Sequence, residues 1–137
     1  MIRLLLVDDQ KNVRRGLRMR LELEPDVEVV GEAENGETAI DQANTLHPDI
    51  VLMDVEMPKM DGISATEALH NAASPCSVVI LSLYDDSLTR ERAKQAGAKA
   101  FVAKHQLEQT LMTCIRGVVG GRERPGGSMG ICLEGQG

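Results

Sequence analysis

Five short apolar runs, each followed by a stretch of helical periodicity, constrain this chain more than any other feature of its 137 residues. Ile2 to Val7 is almost continuously apolar. A strand of that kind must be covered on both faces, because neither is left for water. Gln10 to Glu24 carries Val13, Leu17 and Leu21 at i, i+4 and i+8 among charged residues, which predicts an amphipathic helix stopped by Pro25. Val27 to Val30 is a second strand, and Gly36 to Leu46 a second helix with Ala39, Ile40, Ala43 and Leu46 on one face, broken at His47-Pro48.

The alternation continues. Ile50 to Met53 is a strand ending in Asp54, followed by a loop with Pro58 and Gly62 and a helix from Ile63 to about Ala73. Val78 to Leu81 ends in Ser82, and Asp85 to Ala96 is a helix with little apolar surface, closed by Gly97. Ala100 to Ala103 ends in Lys104, and a last helix from Gln106 to about Val118 sets Leu107, Leu111, Ile115 and Val118 on one face. Strands alternating with helices predict an α/β fold with a parallel sheet and right-handed crossovers.

The chain is long enough for one domain with a real core. Residues 1–118 are expected to form it. Residues 119–137 are expected to be a flexible tail or linker, since Gly120 to Gly137 holds seven glycines, Pro125 and few apolar residues. A net charge of −6 argues against a nucleic-acid surface on this domain. No apolar run approaches the roughly 18–20 residues needed to span a bilayer, and the N-terminal run is too short for a signal peptide, so a cytoplasmic protein without membrane contact is expected. Cys76, Cys114 and Cys132 lack metal-ligand spacing and are expected to be reduced thiols.

In an open parallel sheet, ligands bind beyond the carboxyl ends of the strands, where strand order reverses. There the sequence places Asp8 and Asp9, Asp54, Ser82 and Lys104; the second strand offers only Gly31 and Glu32. Each residue alone has an ordinary explanation as a turn, a helix cap or a solvated lysine. Together they do not. Three converging carboxylates repel by about 4 kcal/mol per pair at ~4 Å and an effective dielectric of ~20. Oxygen-only ligands on an open site suit Mg²⁺. A lysine and a hydroxyl then supply a positive charge and a donor for phosphoryl oxygens. The set suits a phosphoryl group on, or beside, a carboxylate.

With LLLVDD (4–9), PDIVLMDVEMPKMDG (48–62), VVILS (78–82) and AGAKAFVAK (96–104), the chain resembles the receiver domain of bacterial two-component response regulators over residues 1 to about 118. VGEAENGETAI (30–40) and LSLYDD (81–86) look like its NarL/LuxR-type subgroup. The resemblance implies a flavodoxin-like, doubly wound five-stranded parallel sheet of order 2-1-3-4-5 with five helices. It implies that Asp54 is the phosphoacceptor, that Asp8 and Asp9 form the acidic pocket with Asp9 binding Mg²⁺ directly, and that Glu56 adds its backbone carbonyl. Ser82 and Lys104 would contact the phosphoryl oxygens, Phe101 would occupy the aromatic switch position, and Pro58 and Gly62 would shape the loop beneath Asp54.

The implied partner is a sensor histidine kinase, with a possible homodimer through the face shared by the fourth helix, fifth strand and fifth helix. The implied output is transcription, through a DNA-binding domain absent from this chain, so that this chain alone binds no nucleic acid; a stand-alone receiver acting by protein contacts is the alternative. The chain departs from the family pattern at His105, where proline usually follows the lysine; a cis bond there would cost about 3 kcal/mol without proline. Glu56 and Tyr84 fill positions that vary within the family and border the site. Two rivals fit less well. A haloacid-dehalogenase-type Mg-dependent phosphohydrolase needs a second Asp two residues after its nucleophile, where Glu56 stands. Gly31 to Gly36 has Walker A glycine spacing, but Glu37 replaces the required lysine and the loop is acidic.

Overall fold

The computed structural model describes residues 1–83, 86–104 and 107–121, with the side chains of 107–109 and 121 left aside. The elements are β1 (Ile2–Val7), α1 (Lys11–Glu22), β2 (Val27–Ala33), α2 (Gly36–Leu46), β3 (Ile50–Asp54), α3 (Gly62–Asn71), β4 (Ser77–Ser82), α4 (Ser87–Ala96), β5 (Ala100–Ala103) and α5 (Leu107–Gly121). The strands form one parallel sheet of order β2-β1-β3-β4-β5. This is the doubly wound arrangement expected.

Strand alternation divides the core in two. Ile2, Leu4 and Leu6 face one side, with Leu17 and Leu21 of α1 and Leu111, Met112 and Ile115 of α5. Leu5 and Val7 face the other, with Ala39 and Ala43 of α2, Ala65 and Leu69 of α3, and Ala93 of α4. The central strands β3 and β4 are buried throughout, which accounts for their unbroken apolar character.

Local chemistry sets the element ends. Asn35, Asp61 and Asp86 each cap a helix by accepting a hydrogen bond from the backbone N–H three residues on. Gly97 closes α4 at φ 105°, a left-handed conformation that glycine adopts without a steric penalty.

Three expectations change. β2 runs to Ala33 because Gly31, Glu32 and Ala33 resume pairing with Leu5, Leu6 and Val7 after a register shift. α5 continues to Gly121, three residues into the stretch expected to be tail. Cys114 is buried and disulfide-bonded, so it is not the reduced thiol expected, whereas Cys76 is free. Tyr84, His105, the side chain of Leu107, Cys132 and the rest of 122–137 lie outside the described residues. Among the described residues no helix is long and apolar enough to cross a membrane.

Candidate functional site

At the carboxyl edge of the sheet, β1, β3, β4 and β5 deliver their polar ends to one place. Val7 pairs with Met53, Asp54 with Leu81, and Ser82 with Ala103. Asp8, Asp54, Ser82 and Lys104 are therefore brought level by registration. β2 lies outside this group beside β1.

Asp8, Asp9 and Asp54 each present a carboxylate oxygen within 4.8 Å of the other two. Asp8 and Asp54 are buried, at 1% and 7% exposure, while Asp9 is exposed. Lys104 Nζ lies 3.3 Å from Asp54 Oδ1 and 3.4 Å from Asp8 Oδ2. The Asp54 carboxyl is pushed up to about 6, chiefly because burial disfavours its charge; Lys104 opposes the shift and the Asp8 charge adds to it. Like charges held this close, with one side open to water, fit a small oxygen-seeking dication.

The loop after Asp54 is tightly held. Gly62 N–H donates to the Val55 carbonyl at 2.8 Å, and a Cβ at Gly62 would stand 2.0 Å from the Asp54 carbonyl oxygen. Only glycine fits there. Gly36 N–H donates to the Met60 carbonyl at 3.0 Å, so the start of α2 anchors the far side of the same loop. Lys59 sits between them at φ 67°.

The remaining expected residues are placed as follows. Ser82 is buried at the end of β4. Glu56 has an exposed side chain, and Pro58 is exposed in the same loop. Phe101 is fully buried among the residues facing α2, α3 and α4, with the Arg90 guanidinium 5.7 Å from its ring centre.

Sequence reasoning missed Arg14. Its Nη1 donates to the Asp8 carbonyl at 2.6 Å and its Nε to Glu32 Oε1 at 3.0 Å. Glu32 was passed over as a strand end without chemistry, yet it also pairs with Arg18. The available clue was a repeated arginine spacing, Arg14 and Arg18, on the helix that follows the acidic pair.

Residues 4–116 match the response regulator receiver domain family. This chain belongs to that family. The receiver is 38% identical over 136 residues to a protein-glutamate methylesterase/protein-glutamine glutaminase of Alkalilimnicola ehrlichii, covering 92% of this chain and 35% of that protein. It is 38% identical over 116 residues to the transcriptional regulatory protein LiaR of Bacillus subtilis, covering 85% of this chain and 55% of LiaR. Among solved structures it resembles a LuxR-family two-component response regulator from Aurantimonas, with a TM-score of 0.86 and 29% identity over 99% of this chain and 97% of the other. The receiver thus spans between about a third and just over half of these two curated relatives.

Proposed function

We propose that the receiver accepts a phosphoryl group on Asp54 from a phosphohistidine of a sensor histidine kinase. The observation that carries this reading is the position of Lys104 Nζ, 3.3 Å from Asp54 Oδ1, at the edge of a three-carboxylate cluster. Asp54 attacks phosphorus, the P–N bond breaks, the imidazole leaves and an acyl phosphate remains on Asp54. Asp8 and Asp9 would hold Mg²⁺ with Asp54 and the Glu56 carbonyl, and the metal supplies charge neutralisation between carboxylates and phosphoryl oxygens. Lys104 and Ser82 hold those oxygens by ion pairing and hydrogen bonding. No general base is needed, since Asp54 reacts as a carboxylate. An in-line water later returns the group to phosphate, so the receiver assists its own slow dephosphorylation.

Phosphorylation draws Ser82 toward the new dianion and favours the inward arrangement of Phe101 over one with the ring turned out. The output face is then α4, β5 and α5, where Leu88 of α4 lies 69% exposed, and through which two copies would pair. Similarity to LiaR and to the LuxR-family regulator supports control of transcription through a DNA-binding domain outside this chain, in the cytoplasm. A receiver governing an attached methylesterase is the second reading, favoured by the methylesterase relative. Incubation with acetyl phosphate and Mg²⁺, followed by intact mass, tests the phosphoacceptor reading: one phosphoryl group is gained, and a chelator or Asp54→Asn abolishes the gain. A gain that persists in Asp54→Asn overturns it.

A further inference from the structure

We infer that Arg14 is a positioning residue for the acidic cluster, fixing the peptide between Asp8 and Asp9 so that Asp9 meets the cation; this rests on the reading that the three carboxylates take a divalent ion. β1 ends at Val7, and its pairing with β2 and β3 ends there too. Asp8 N–H still reaches the Ala33 carbonyl at 3.1 Å. Asp8 Oδ1 accepts from Gln10 N–H at 2.9 Å, and Oδ2 faces Lys104. The Asp8 carbonyl is past the ladder, and Arg14 Nη1 takes it at 2.6 Å.

The guanidinium is a rigid fork. While one arm holds the Asp8 carbonyl, Nε is held by Glu32 Oε1 at 3.0 Å, and Glu32 Oε2 is in turn held by Arg18 Nη1 at 2.5 Å. The Arg18 hydrogen bond, helped by Arg14, keeps the Glu32 carboxyl below its ordinary range against the effect of burial. Arg14 itself is mostly enclosed, its side chain 13% exposed. The chain of contacts from Arg18 through Glu32 and Arg14 ends on the peptide that carries Asp9. Asp9 is exposed, so the orientation of that peptide decides where its carboxylate stands. β2 thereby enters the site through Glu32, although it offers the cluster no ligand.

The test is calorimetric titration of the full chain with MgCl₂ alone. Arg14→Gln is expected to weaken Mg²⁺ binding by about tenfold or more, the range seen when groups that orient metal ligands are removed. Glu32→Gln should cost less, and Arg14→Lys should recover part of the loss, because an ammonium can hold only one of the two partners at the fork's geometry. In an Asp9→Asn background, Arg14→Gln should change affinity less than about twofold, since positioning acts through Asp9. A purely structural role would lower the melting temperature of the metal-free protein without this dependence on Asp9. Affinity for Arg14→Gln within about twofold of the parent, or a full effect in the Asp9→Asn background, overturns the inference. Should Arg14→Gln fail to fold, Glu32→Gln is judged by the same two criteria. Absence of Mg²⁺ binding by the parent chain would overturn the reading of the cluster and this inference together, whereas normal binding by parent and variant overturns the inference alone.

Discussion

Lys104 Nζ lies 3.3 Å from Asp54 Oδ1, although the two residues end strands separated by β4. The contact brings a positive charge to a carboxyl whose charged form burial disfavours. Lys104→Met removes that charge, so the Asp54 carboxyl should titrate above the value of about 6 it has with Lys104 present. Carbon-detected NMR titration of the Asp54 carboxyl measures this. Phosphorylation by acetyl phosphate should slow by roughly 10²-fold, the usual scale for losing one electrostatic contact to transferring oxygens.

Stability of the metal-free protein should depend on pH through the same carboxyl. Its folded value, about 6, exceeds the ordinary 3.8, so the native state binds the extra proton between those values. Stability from this group is fully present below about pH 4 and is lost as pH rises through 6. Asp54→Asn has no charge to desolvate. It should therefore match the parent near pH 4 and exceed it above pH 6, by on the order of 2–3 kcal/mol. Urea unfolding in the presence of a chelator at both pH values checks the sign; equal stability at pH 7 would contradict it.

Two glycines should respond in opposite directions to alanine. At Gly62 the new Cβ would stand 2.0 Å from the Asp54 carbonyl oxygen, while at Gly16 in α1 it would meet nothing within 4 Å. Gly62→Ala should destabilise by about 2–3 kcal/mol and slow phosphorylation. Gly16→Ala should stabilise by about 0.5–1 kcal/mol by restricting the unfolded chain. Denaturant midpoints for both variants settle the comparison.

Legibility in the sequence followed the range of the interactions involved. Asp54 and Lys104 could be placed because each terminates an apolar run, and parallel registration brings such ends level. The fold was legible for the same reason. β2 looked shorter than it is because Gly31 and Glu32 resemble turn residues; only pairing with Leu5 and Leu6 makes them strand. Arg14 and Glu32 meet across 18 positions, and nothing in local periodicity pairs them. Cys114 belongs to the buried face of α5 beside Leu111 and Ile115, but its spacing from the other cysteines identifies no disulfide partner.

Arg116 ties α5 to the corner between α1 and β2, with Nη2 2.5 Å from Glu24 and Nε 3.0 Å from Asp26. Hydrogen bonds from Arg20 and Arg116 hold the Glu24 carboxyl below its ordinary range, and Arg116 does the same for Asp26. Folded values below the unfolded ones mean stability that is present at neutral pH and lost as pH falls through the depressed values. Arg116→Ala should lower the melting temperature modestly at pH 7 and low salt. The difference should shrink at high salt and in acid, because the pairs are exposed and screened. Calorimetry across a salt series tests it.

The most direct measurement of the central claim is the location of the phosphoryl group. After treatment with acetyl phosphate and Mg²⁺, borohydride reduction converts an aspartyl phosphate to homoserine, which tandem mass spectrometry places in the sequence. Homoserine at position 54, absent without the phosphodonor and absent when Mg²⁺ is chelated, is the predicted result. Homoserine at position 8 or 9 with Asp54 unmodified would contradict it.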